Sequence, residues 1–272
     1  MEEILLAKTI IALIGGVIFA LYDVFNKRTI PDKVAYSFFA ISLILTFFNE
    51  LQTIEISLLV ASLILAFGYL LYKQALLGLG DVLELASISL ILPIFQPLIP
   101  SNFERFVKLP FFVTLFLNSG IFAVVLVALW IPFKIKKKQE KKGRAKLLSI
   151  LIFLLYLLVA LLLKDLLSEF GIFLVNLLGI SASLLIFYKE DFKENCLKVI
   201  SIKELGIGDI IQPIPELGNE RLVTKELIEK LKKKRIKKVK VYYNLPPFSL
   251  FILLGLISGI VFGNILFWIV KF

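Results

Sequence analysis

Apolar residues run along this chain in blocks, most of them near the length that crosses a bilayer as a helix, with short polar stretches between. The blocks fall at 4–22, 34–48, 56–72, 82–98, 111–133, 147–163, 172–188 and 248–270 and predict about eight spans. The second is short, and Pro93 and Pro97 interrupt the fourth. The one sizeable polar stretch is 189–246. Within it, Val199-Ile200-Ser201-Ile202 predicts a short strand, and Ile236 to Tyr243 alternates as a second. Thr224 is the expected N-cap of a helix beginning Lys225-Glu226-Leu227, with acids early and lysines late. The expected fold class is therefore α, a polytopic transmembrane helical bundle of about six to eight spans with a small α+β subdomain. Residues 1–188 form the bundle, 189–246 the cytoplasmic subdomain and 247–272 the final transmembrane helix.

Composition removes several kinds of chemistry. Histidine is absent and Cys196 is the sole cysteine, so disulfides within the chain, cysteine-rich zinc sites and histidine catalysis are excluded. No metal and no cofactor is implied. The first block starts with Glu2 and Glu3 and has no basic n-region or small-residue cleavage site, so it is expected to be a span and not a cleaved signal peptide. The net charge of +10 raises the question of nucleic acid. The lysines cluster between apolar blocks, where they orient helices and touch anionic lipid, so the expected partner is the bilayer and not nucleic acid. Basic stretches follow the first, fifth and seventh spans: Lys27, Arg28 and Lys33, then the 134–146 lysine run, then the polar segment. Lys73, after the third, falls on the same side. The stretch after the second span carries Glu50 and Glu55 and no base. Both termini are then expected outside and the basic loops in the cytoplasm, with Arg105 and Lys108 as exceptions. The expected localisation is the cell membrane, multi-pass.

Two aspartates stand at the ends of apolar blocks, where an ionisable side chain signals function. Asp23 closes the first span and Asp81 opens the fourth, in Gly78-Leu79-Gly80-Asp81. Span one runs outward to inward and span four inward to outward, so both carboxyls are expected at the cytoplasmic end of the bundle. Two carboxyls in contact cannot both ionise cheaply, so one keeps a proton, as in aspartic proteases. The charged member can act as base on a water while the protonated member hydrogen-bonds a scissile carbonyl. Gly78 and Gly80 allow φ > 0 or a close approach by a neighbour. The tetrapeptide alone is a weak signal, because Gly206-Ile207-Gly208-Asp209 repeats it in the polar segment with no span attached. Asp81 as a plain helix cap is the ordinary alternative.

The constellation resembles the archaeal preflagellin/prepilin peptidases, membrane aspartic proteases of the GxGD type within the type IV prepilin peptidase family. Asp23 is followed by Asn26-Lys27-Arg28-Thr29-Ile30-Pro31, similar to the family's first-aspartate motif with its basic stretch and Ile30-Pro31 pair. Gly78-Leu79-Gly80-Asp81 is similar to the second motif, and Asn244-Leu245-Pro246-Pro247-Phe248 before the last span looks like the archaeal branch. The resemblance implies an aspartic endopeptidase with Asp23 and Asp81 catalytic, and with Gly78, Gly80, Ile30 and Pro31 supporting them. It implies cleavage of a short basic leader from preflagellin or pilin-like membrane protein precursors at the cytoplasmic membrane face. The cysteine-rich loop of the bacterial relatives, which also methylate the product, is missing, so peptidase activity alone is implied. The sequence departs from the family at Asp32, where Asn is common, and at Leu83, where Lys is common, with Glu84 next. Glu84, Asp32 and Glu190 are the acids expected to meet a basic leader.

Two alternatives stand beside this expectation. One is a protease similar to presenilin and signal peptide peptidase, although their Pro-Ala-Leu motif is missing here. The other is a non-enzymatic proton-coupled transporter, although transporters favour acids near the midplane of repeated halves, and no repeat is found.

Overall fold

A computed structural model describes residues 2–26, 29–75, 77–101, 109–134, 143–214, 221–243 and 245–269. Lys27, Arg28, Arg105, Lys108, Asn244 and residues 135–142 of the lysine run lie outside the described residues.

Eight apolar helices correspond to the eight predicted blocks: α1 (Glu2–Phe25), α2 (Asp32–Thr46), α3 (Leu51–Lys73), α4 (Leu79–Ile91), α5 (Phe111–Lys134), α6 (Gly143–Leu162), α7 (Glu169–Phe187) and, later, α10 (Phe248–Phe262). The helices α1, α3, α5, α6 and α7 are long and apolar enough to cross a membrane. The protein is a polytopic helical membrane protein. Outward faces carry a dense coat of exposed apolar side chains, such as Leu59, Phe67, Leu155 and Phe173, as lipid contact requires.

The predicted fourth span, 82–98, is too long. The helix α4 ends at Ile91 because Pro93 forces Leu92 out of helical geometry, to φ −124° and ψ 67°. The chain beyond it pairs with α10: Leu98 and Ile99 N–H donate to the Ile260 and Val261 carbonyls at 3.0 and 2.8 Å. The predicted last span, 248–270, is also too long. Gly263 takes φ 70° and ends α10 at Phe262. Asn118 of α5, fully buried, holds that break by donating to the Gly263 carbonyl (2.8 Å) and accepting from the Ile265 N–H (3.0 Å).

Every residue of α4 from Val82 to Ile91 is buried. A helix apolar on all sides belongs in the centre of a bundle. The helices α1, α2, α3 and α10 surround it, and the core formed there includes Phe19, Phe38, Ile64, Ile88, Leu115, Ile252 and Leu256.

The polar stretch forms α8 (Lys189–Asn195), β1 (Leu197–Ser201), α9 (Lys225–Lys233) and β2 (Lys238–Tyr242). The two strands pair antiparallel, with Val199 opposite Lys240. Thr224 caps α9 by accepting the Leu227 N–H at 3.2 Å, and Leu227 and Leu231 pack with Val239 and Val241 in a small separate core.

Candidate active site

Three helix ends meet at one end of the bundle: the close of α1, the start of α4 and the start of α10. The last turn of α1 carries Asp23, which is buried. Beyond it the chain turns tightly. Asn26 Nδ2 donates to the Thr29 carbonyl (2.8 Å), and Thr29 N and Oγ1 donate to the Asn26 carbonyl (2.9 and 2.8 Å). Pro31 then precedes α2 with φ −61° and ψ 132° and accepts the Val34 N–H at 2.9 Å, so its missing N–H costs nothing. This turn carries Ile30 back against α4.

Asp81 lies in the first turn of α4 and accepts the Gly78 N–H at 3.2 Å, satisfying one of the free donors of that helix end. The glycines serve close approach and not positive φ. A Cβ at Gly78, whose φ is −74°, would stand 2.8 Å from Asp81 Oδ2. A Cβ at Gly80 would stand 2.8 Å from Ile30 Cδ1. The two sequence motifs are thus in physical contact, Ile30 against Gly80.

The third piece is Ser249, fully buried in the first turn of α10. Pro247 enters α10 extended, and Ser249 follows in the first turn, where its N–H has no intrahelical acceptor. That N–H donates to Asp23 Oδ2 at 3.0 Å, and the Ser249 hydroxyl donates to Asp81 Oδ1 at 3.0 Å. One residue therefore bridges both carboxyls, and the two bonded oxygens lie no more than about 10 Å apart by ordinary bond lengths. The start of α10 also supplies the positive end of a helix dipole to Asp23. Sequence reasoning did not single out Ser249. The signal available was the Pro246-Pro247-Phe248 step that opens the last helix, one residue short of it.

Glu84 follows Asp81 by one helical turn and is completely buried. The expectation that it meets a basic leader at the surface is overturned by this burial, whereas Asp32 and Glu190 are exposed. Asp209 repeats the local geometry of Asp81, since the Gly206 N–H donates to its Oδ2 at 2.8 Å. There, however, the turn runs through Gly208 at φ 93° and the side chain is partly exposed, in the polar segment next to an isolated bridge between Ile210 and Leu222. The local turn thus does not distinguish the two aspartates. The bridge through Ser249 to Asp23 does.

Residues 10–129 match the model of the type IV leader peptidase family. The match contains Asp23, Ile30, Pro31, Gly78, Gly80 and Asp81 and stops short of Ser249. No curated protein and no solved structure matches the chain.

Proposed function

We propose that this protein belongs to the type IV leader peptidase family, whose model matches residues 10–129, and works as a leader-cleaving membrane peptidase of the aspartic type with Asp23 and Asp81 as its catalytic pair. The observation that carries this is the bridge of Ser249, which hydrogen-bonds both carboxyls from one residue. The pair shares one proton. Its carboxylate member takes a proton from a water, whose oxygen attacks the scissile carbonyl carbon. Its protonated member gives its proton to the carbonyl oxygen. Collapse of the tetrahedral intermediate breaks the C–N bond: the leaving nitrogen takes the proton gained from water, and a hydroxyl of the intermediate returns its proton to the carboxylate that had given one, which restores the C=O bond and the shared proton of the pair. Ser249 holds the two carboxyls in register, and Gly78, Gly80, Ile30 and Pro31 hold the turns that present them.

The substrates are preflagellin or pilin-like precursors, with a short basic leader before a hydrophobic helix, cut at the cytoplasmic face. The lysine-rich loops at the end of the bundle that carries the pair support that face. Residues 1–188 act as the bundle that carries the pair, 189–246 as a cytoplasmic subdomain and 247–272 as the last transmembrane segment, which brings Ser249. Membranes containing the protein, mixed with tagged flagellin-type and pilus-type precursors, will yield a product shortened by the leader from at least one class. Intact precursors throughout the panel would contradict the assignment.

A further inference from the structure

Lys8 is a charged residue inside the first apolar block, and the cleavage chemistry does not use it. An ionisable side chain within a membrane helix marks function. Lys8 is 3% exposed. It lies about 22 Å of helical rise from Asp23 along α1, at the opposite pole of the bundle. Its ammonium donates to Asn49 Oδ1, in the turn between α2 and α3. Among the described residues it meets no second acceptor and no carboxylate. An ammonium has three protons to donate, and a buried charge calls for an opposite one. Because an ammonium only donates, it holds the Asn49 carbonyl toward itself and turns the amide NH2 to the other side. That Nδ2 is buried and has no partner among the described residues. Lys8 and Asn49 both line a cavity of about 430 Å³, to which Thr53 adds a hydroxyl and Leu5, Phe48 and Ile94 add apolar walls. Those three apolar side chains are exposed. Glu50 also lines the cavity, is itself exposed, and forms no ion pair with Lys8.

We propose that this cavity binds the headgroup phosphate of a membrane phospholipid, with Lys8 as its counter-ion and the Asn49 NH2 as a second donor. The donor set fits that chemistry: one cation and one amide, both able only to donate there, suit an anion whose oxygens only accept. The volume falls in the range that encloses a small ligand and would hold a headgroup. The walls identify the source of the phosphate. Leu5, Phe48 and Ile94 carry apolar surface from the cavity to the outside of the bundle, and an acyl chain covers that surface where a free anion would not. The turn between α2 and α3 is where the chain leaves the bundle, the level at which headgroups lie. Glu50 at the rim repels a headgroup with a second negative charge, so the fitting ligand carries a single phosphodiester. No bond forms or breaks, and the site stands independently of the aspartate pair.

The test uses the full chain purified in detergent, with phosphatidylglycerol as the probe. Diacylglycerol with the same acyl chains and inorganic phosphate are the controls. Native mass spectrometry will show phosphatidylglycerol retained on the protein and diacylglycerol lost, and added phosphatidylglycerol will raise the melting temperature. Lys8→Met keeps the length of the side chain and removes its charge, so lipid affinity will fall about ten- to a hundredfold, as the loss of a hydrogen bond to a charged group does. Asn49→Asp keeps the shape of the turn and supplies Lys8 with an anion from within the chain. It will lose lipid binding while its melting temperature without lipid stays at or above that of the unaltered protein, and this arm decides the matter if Lys8→Met does not fold. Equal retention of diacylglycerol, or phosphatidylglycerol binding that survives Asn49→Asp, would overturn the proposal. A melting-temperature rise from inorganic phosphate alone that matches the lipid's would assign the site to a free anion and overturn the lipid.

Discussion

Asp23, Asp81 and Ser249 come from positions far apart in the sequence, and each is useful only because the others are present. Asp81 alone is a helix-cap residue, bonded to the Gly78 N–H as Asp209 is bonded to the Gly206 N–H. What separates it from Asp209 is the Ser249 hydroxyl, which draws Asp81 toward the carboxyl held by the Ser249 N–H. Ser249→Ala removes the hydroxyl and keeps the backbone N–H. A hydrogen bond to a charged group contributes about 1.5–3 kcal/mol, so kcat is expected to fall about ten- to a hundredfold with KM little changed. Steady-state cleavage of a tagged precursor in membranes measures this, and an unaltered kcat would remove Ser249 from the positioning role.

The elements around the site differ in how far they can be foreseen. Apolar block length predicts where eight helices lie, because hydrocarbon demands continuous apolar surface and internally bonded backbone. It does not predict where α4 and α10 stop. Those ends depend on Pro93 and on the Asn118–Gly263 contact, and the second of these joins residues distant in sequence. The candidate aspartates are visible as acids at the ends of apolar blocks. Ser249 is not, because a serine in the first turn of an apolar helix carries no charge signal and its role arises only when α10 packs antiparallel on α1. The burial of Glu84 is hidden for a related reason: all sides of α4 are covered, so no polar face exists to receive it. The contact between Ile30 and Gly80 is likewise tertiary, and it gives an element-level prediction. Gly80→Ala pushes a methyl into Ile30 and tilts the start of α4, at a cost of about 1–3 kcal/mol. Ile30→Ala in the same chain opens room for that methyl. The double variant is therefore expected to cleave faster than Gly80→Ala alone, and strictly additive losses would show that the two positions do not communicate.

For the whole molecule, the bundle brings three helix ends together at the end where α1 hands over to α2 and α3 to α4. Other helix ends meet at the opposite pole, where Lys8 of α1 bonds Asn49 between α2 and α3, and Ser168 bonds the Trp268 carbonyl. The polar segment folds on its own small core, runs into α10 at the end that carries the aspartate pair, and holds the second Gly-x-Gly-Asp copy beside the Ile210–Leu222 bridge. The central claim is that cleavage depends on which aspartate shares Ser249 and not on which aspartate follows the tetrapeptide. The most direct measurement compares precursor cleavage by membranes carrying Asp23→Asn, Asp81→Asn and Asp209→Asn at matched protein levels. The first two are expected to lose roughly 10²- to 10⁴-fold in rate, as loss of a general acid or base does. The third is expected to stay within about twofold of the unaltered protein, as a surface substitution does. Equal loss from Asp209→Asn, or full activity in either of the first two, would contradict the assignment of the site.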